Sequence, residues 1–191
     1  MMIYRLSVRA LIFGLLASIT LGGGVIVASK ESEFSIDETL KNASFNTQHM
    51  PTQNSVISKY GEGKTYRRPG SIYHVYYLAD LKLWLRCRGE SEAQQYVPVS
   101  ELMISKIDLA TKLVPKAPVV DPNLKGIRIG DSVKLAYAQW GEPLRQYTQK
   151  LGSLTTKVHE FFPASLGPGL CLRFFTHGDD KIVAFSFSSE E

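Results

Sequence analysis

An internal repeat constrains this chain more than any other feature. Tyr60-Gly61-Glu62 and Trp140-Gly141-Glu142 are matching triplets, and their glycines stand 80 positions apart. Each triplet closes a short stretch with helical character. In the first, Pro51 suits a first helical position, Val56 and Tyr60 lie one turn apart, and Gly61 supplies the stop. In the second, Asp131 is an expected N-cap, and Val133, Ala136, Tyr137 and Trp140 form one buried stripe.

Runs rich in strand-forming residues follow each triplet. After the first come Ser71–Leu78, Leu81–Arg88 and Val99–Ile107, with Ala79-Asp80 as a tight turn between the first two. After the second come residues 157–162, 170–176 and 181–188, the last two joined by the turn residues His177-Gly178-Asp179-Asp180. A cation held at that turn is the sharper reading of the same residues, and a solvated hairpin the simpler one. The expectation is an α+β fold of two tandem modules, each a short helix packed on an antiparallel sheet of three or more strands. Pro115, Pro118 and Pro122 cannot donate ladder hydrogen bonds, so residues 114–123 read as an extended linker. It separates a first module over 46–113 from a second over 124–191.

The N-terminus reads as an export signal. Arg5 and Arg9 precede Ala10–Ala28, an uncharged run of 19 residues that ends in Val27-Ala28-Ser29. Two readings stand: residues 1–29 as a cleaved signal peptide, or as a membrane anchor of about 20 residues, long enough to span a bilayer. The cluster Gly22-Gly23-Gly24 favours cleavage. In both, the arginines place the rest outside the cytoplasm, in the periplasm or anchored in the inner membrane through residues 10–28. A polar lead-in over 30–45 contains Ser35-Ile36-Asp37-Glu38, which has capping-box form and can start a short helix. Beyond residue 29 the chain has 20 basic and 18 acidic side chains, interspersed, which argues against nucleic acid as a partner.

The repeated pattern resembles a known group. A Gly130-Asp131-Ser132 start, a short helix, Trp140-Gly141-Glu142-Pro143 and a strand meander resemble the tandem-repeat β-lactamase inhibitory protein fold. That fold is related to the small outer-membrane assembly lipoproteins. In the first copy Met50, Pro51, Tyr60, Gly61 and Glu62 carry the resemblance, with Gly63 where the pattern prefers proline. The lipoprotein cysteine is absent. The resemblance implies a non-enzymatic protein that binds other proteins through its sheet.

Apparent catalytic motifs dissolve. Gly63-Lys64-Thr65 imitates a phosphate-binding loop, but position 58 is serine and a helix precedes rather than follows. His159-Glu160 lacks a zinc-protease partner, because position 163 is proline. His74 and His159 fall at equivalent strand positions in the two copies, which favours a structural role. No catalytic constellation, metal site or cofactor site is expected. Cys87 and Cys171 could pair in an exported protein, yet strand alternation puts Cys87 with Leu81, Leu83 and Leu85, and Cys171 with Arg173 and Phe175, on opposite faces.

The same alternation provides the binding expectation. Lys82, Trp84, Arg86 and Arg88 share one face of their strand, and Arg173 and Phe175 occupy the matching face in the second copy. Tryptophan among arginines on an open sheet face has the composition of a binding hot spot, so Trp84, Arg86, Arg173 and Phe175 are the candidate anchors for another envelope protein. Packing of Trp84 under arginine stems is the competing structural reading. Two other functions stay open: inhibition of a periplasmic hydrolase, and binding of a small ligand or glycan by Tyr73, Tyr76, Tyr77 and Tyr96.

Overall fold

The computed structural model describes residues 36–42, 52–89, 99–109 and 121–189. The expected export segment, most of the expected lead-in, Met50, Pro51, Tyr96 and residues 114–120 of the expected linker lie outside the described residues. Among those described, the helices are α1 (Ile36–Asn42), α2 (Gln53–Tyr60) and α3 (Lys134–Trp140). The strands are β1 (Lys64–Arg68), β2 (Ser71–Leu78), β3 (Leu83–Gly89), β4 (Glu101–Ser105), β5 (Arg145–Leu151), β6 (Leu154–Phe161), β7 (Leu170–Thr176) and β8 (Ile182–Ser189). A 3₁₀ turn, Ala164–Leu166, lies between β6 and β7.

The strands form one antiparallel sheet in the order β1-β2-β3-β4-β8-β7-β6-β5. This overturns the expected α+β fold of two modules: the chain is mainly β, with a single eight-stranded sheet. The physical reason is the pairing of β4 with β8, Glu101↔Ser188 through Ser105↔Ala184, which leaves neither half with an inner edge. All five residues of β4 are buried, as expected of a strand covered on both faces. Each half also has four strands, because β1 and β5 add an outer strand to each expected meander.

The repeat nonetheless survives as a local two-fold relation. Arg86 pairs with Met103 and Arg173 with Ser186, while Met103 and Ser186 pair with each other, so the axis passes through that central pair. Both helices end alike: Gly61 N–H donates to the Ile57 carbonyl at 2.7 Å and Gly141 N–H to the Tyr137 carbonyl at 2.8 Å. Helix α2 is capped by Thr52, whose Oγ1 accepts from Ser55 N–H at 3.1 Å. Asp131 is not the cap of α3; its carboxylate accepts from the Arg128 N–H, and the helix begins only at Lys134.

The helices cover one sheet face. Ile36 and Leu40 of α1, Val56 and Tyr60 of α2 and Ala136 of α3 join Tyr76, Leu85, Cys87, Leu102, Ile104, Phe161, Leu172, Phe174, Phe185 and Phe187 in the main core. The expected stripes of α2 and α3 do face this core. The two strand histidines bind each helix region to the sheet. His74 donates from Nδ1 to the Glu62 carbonyl (2.8 Å) and accepts at Nε2 from Gln53 (3.1 Å). His159 accepts at Nδ1 from the Tyr137 hydroxyl (2.7 Å) and donates from Nε2 to Thr176 Oγ1 (3.0 Å). They sit opposite Cys87 and Phe174, at matching places in the two halves.

A smaller core occupies part of the second face: Met103, Ile107, Leu151, Val158, Phe175 and Ala184, with Leu109, Leu154 and Val183 against it. Here the β5–β6 turn meets the chain beyond β4. Gly152 has φ +57°, and a Cβ on it would lie 2.5 Å from the Asp108 carbonyl oxygen, so only glycine permits this approach. Residues 121–123, the described end of the expected linker, are held in place. Arg128 pairs with Asp121 at 3.1 Å, and Asn123 Oδ1 accepts from the Gly126 N–H at 2.9 Å.

Candidate functional site

The strand register places the candidate residues on one face. In antiparallel pairs, opposed residues share a face, so Lys64, Val75, Arg86, Met103, Ser186, Arg173, Glu160 and Arg145 form one row across all eight strands. A neighbouring row runs Tyr77, Trp84, Ser105, Ala184, Phe175, Val158 and Tyr147. Trp84, Arg86, Arg173 and Phe175 therefore all lie opposite the helix face. Arg86 and Arg173 are three strand spacings apart, about 14 Å.

The two halves of that face differ. In the second half Phe175 is only 2% exposed and belongs to the smaller core, so it is not available as a surface anchor. Arg173 is held by Glu160 at 2.7 Å and by Ser188 Oγ at 2.9 Å. Glu160 also receives the Tyr147 hydroxyl at 3.3 Å and stands 3.5 Å from Arg145. This is a structural clasp whose carboxylate is buried, and the expected open face is closed here.

The first half is aromatic, basic and only partly covered. Tyr66, Tyr73, Tyr77 and Trp84 share the face with Lys64, Arg68, Arg86 and Arg88. The Tyr77 and Trp84 rings are 5.0 Å apart. The guanidinium groups of Arg68 and Arg86 lie 5.8 and 5.3 Å from the centre of the Tyr73 ring, within cation–π range. Arg86 Nη2 reaches both carboxylate oxygens of Glu101, at 3.1 and 3.0 Å, and Arg88 Nε donates to Ser71 Oγ at 3.1 Å. These contacts fix the aromatic rings at little further entropic cost on binding. Trp84 is half-buried against Tyr77, so packing and surface presentation coexist at this residue. Tyr66 and Arg68, which the sequence patterns did not single out, are the exposed members of this group.

Other candidates separate. Tyr76 lies in the main core, on the face opposite Tyr73 and Tyr77, with its hydroxyl donating to the Gly61 carbonyl at 2.7 Å. Of the tyrosines expected to line a ligand cleft, Tyr76 is thus separated by the sheet from Tyr73 and Tyr77. The Gly63-Lys64-Thr65 stretch enters strand β1, not a helix. Among the described residues, no group of three or more His, Cys, Asp or Glu side chains could hold a metal ion. Neither cysteine is in a disulfide, and both are buried. Cys87 is in the main core, while Cys171 shares its row with Ser188 and Glu101 on the other face. Their strands are three spacings apart, about 14 Å, beyond the reach of a disulfide. Burial pushes the Cys87 thiol well above its ordinary pKa, with Glu101 adding to the shift, so it stays protonated and unreactive.

Among the described residues, no helix is long and apolar enough to cross a membrane. No family model matches the chain, and no curated protein matches it. Among solved structures, the chain is similar to a DUF4309 family protein from Bacillus subtilis subsp. subtilis str. 168. Identity is 12% and TM-score 0.47, over 82% of this chain and 94% of that one. It is also similar to a cysteine-rich secretory protein from Staphylococcus aureus subsp. aureus Mu50, at 9% identity and TM-score 0.45, over 73% of this chain. The chain spans 44% of the length of the staphylococcal protein. Likenesses of this strength assign neither a fold family nor a role.

Proposed function

We propose that this chain is an exported, non-enzymatic envelope protein that binds another protein through the first half of its second sheet face. The observation that carries the reading is the cluster of Tyr66, Tyr73, Tyr77 and Trp84 interleaved with Lys64, Arg68, Arg86 and Arg88. Rigid aromatic rings supply contact area with few torsions to freeze, and arginine adds planar donors, which is the composition of interface hot spots. Trp84 and Arg86 remain the central anchors, now joined by Tyr66 and Arg68. The basic, apolar N-terminus supports export, and the resemblance to the tandem-repeat inhibitory fold supports recognition by the sheet.

The test is in vivo crosslinking from a photoreactive residue at position 66, with exposed Ala138 on α3 as the control position. A discrete protein adduct is expected from position 66 and none from 138. Trp84→Ala together with Arg86→Ala should abolish the adduct and leave the circular dichroism spectrum intact. An adduct that persists undiminished in that double variant sinks the reading.

A further inference from the structure

We infer that the partner presents an extended acidic segment, which adds to the sheet as a further strand along β1. This rests on the reading of the chain as a protein-binding module and specifies what that module takes.

Two observations meet at β1. Among the described residues it is an outer strand, paired with β2 alone, so one row of its backbone N–H and C=O groups points away from the described sheet. Tyr66, Arg67 and Arg68 on it are exposed. An alternating row of donors and acceptors is completed by another polypeptide strand, and not by a glycan or a lipid surface. The second observation is charge. Strand β1 reads Lys64-Thr65-Tyr66-Arg67-Arg68, with no acid. Lys64 and Arg68 share their face with Arg86 and Arg88, and the carboxylate their rows bring alongside, Glu101, is buried and taken up by Arg86.

Basic side chains on an edge ordinarily prevent pairing with other chains. They do so selectively. A second copy adding antiparallel along β1, centred on Tyr66, would set Lys64 against Arg68 at both ends of the ladder, and like charges opposed across a ladder destabilise it. An acidic strand meets the opposite sign at each of these places. Its side chains on the second face would also reach Tyr66, which is 36% exposed on β1 itself. The other outer strand, β5, is also free of acids. Its Arg145, however, is directed to Glu160, and its face belongs to the clasp rather than to the aromatic cluster.

The experiment uses the full chain and a fluorescent synthetic peptide of alternating glutamate and valine, read by anisotropy. Saturable binding is expected, weakening as salt rises. Hydrogen exchange of the β1 amides should slow when the peptide is bound. Lys64→Glu with Arg68→Glu, both on a surface strand, should weaken binding at least about tenfold, because two attractions become repulsions. The same peptide N-methylated at alternate residues keeps its charge but cannot complete the ladder, and it should not bind. Equal binding of the N-methylated peptide overturns strand addition, as does a sulfated oligosaccharide that displaces the peptide at lower concentration. Equal binding of a lysine–valine peptide overturns the charge argument. No peptide binding, with crosslinking through position 66 retained, overturns this inference and leaves protein binding standing; loss of both removes both.

Discussion

Neutralising Glu160 should destabilise the fold far more than removal of a surface charge. Its side chain is 3% exposed, and its partner Arg173, at 2.7 Å, is 18% exposed. Glu160→Gln leaves that guanidinium largely buried beside a neutral amide. Breaking a buried pair on one side costs 3–5 kcal/mol in general, and the lower end, about 3 kcal/mol, applies here. Arg173 keeps Ser188 as an acceptor, and the second cation, Arg145, is 67% exposed and adds little. For a chain of this size that loss corresponds to a Tm lower by roughly 6–12 °C. Urea unfolding followed by circular dichroism measures it directly. The reasoning also predicts partial rescue. Val75 occupies in the first half the place that Glu160 occupies in the second, so Glu160→Val with Arg173→Met should recover to within about 1 kcal/mol of the parent. A cost below about 1 kcal/mol for Glu160→Gln would match an exposed pair and refute the argument. A double variant no better than the single one would refute it equally.

Three further outcomes are expected. Burial beside the Lys157 charge holds His159 below its ordinary pKa of 6.5, with Asp180 opposing. Its contribution to stability is full above that value and declines as pH falls toward the depressed folded one; His159→Gln should flatten this part of a pH–stability curve, and an unchanged slope would assign it to other groups. Gly152→Ala must move either the turn or the Asp108 backbone and should cost about 2 kcal/mol or more, whereas Gly178→Ala, at φ +72° with nothing within 4 Å, should cost about 1 kcal/mol in chemical denaturation. Cys87 and Cys171 should resist maleimide in the native protein and label fully in denaturant, with an intact mass unaltered by reductant; a bonded pair would contradict the sheet register.

Most of the individual elements were legible in the sequence, the single sheet that joins them was not, and the reasons are identifiable. The C-terminal stops of α2 and α3, their buried stripes and the strands β2, β3, β4, β6, β7 and β8 follow from apolar period and glycine placement. Strands β1 and β5 do not, because an outer strand exposed on both faces, such as Arg145–Leu151, has no apolar alternation to read. The fusion of the halves did leave a trace. Leu102-Met103-Ile104 is an unbroken apolar run, as a central strand covered on both faces requires. Leu170–Thr176 carries the same trace, and Phe174-Phe175 marks burial on both sides. Alternation correctly placed Trp84, Arg86, Arg173 and Phe175 on one face. Their exposure was beyond it, because the cover over Phe175 comes from Ile107, Leu109 and Leu154, remote in the chain.

The pairing of β4 with β8 has a consequence for how the chain acquires its structure. Glu101 and Ser188 are 87 positions apart, yet their strands are neighbours at the centre of the sheet. Contacts of such long sequence separation slow folding, because a large loop must close before they form. Until β8 arrives, both β4 and β7 present bare apolar edges, and each half resembles an unfinished domain open to pairing with another chain. Synthesis from the N-terminus therefore delivers β8, one of the two central strands, after the other described strands, and the sheet closes at its middle, not at its margins.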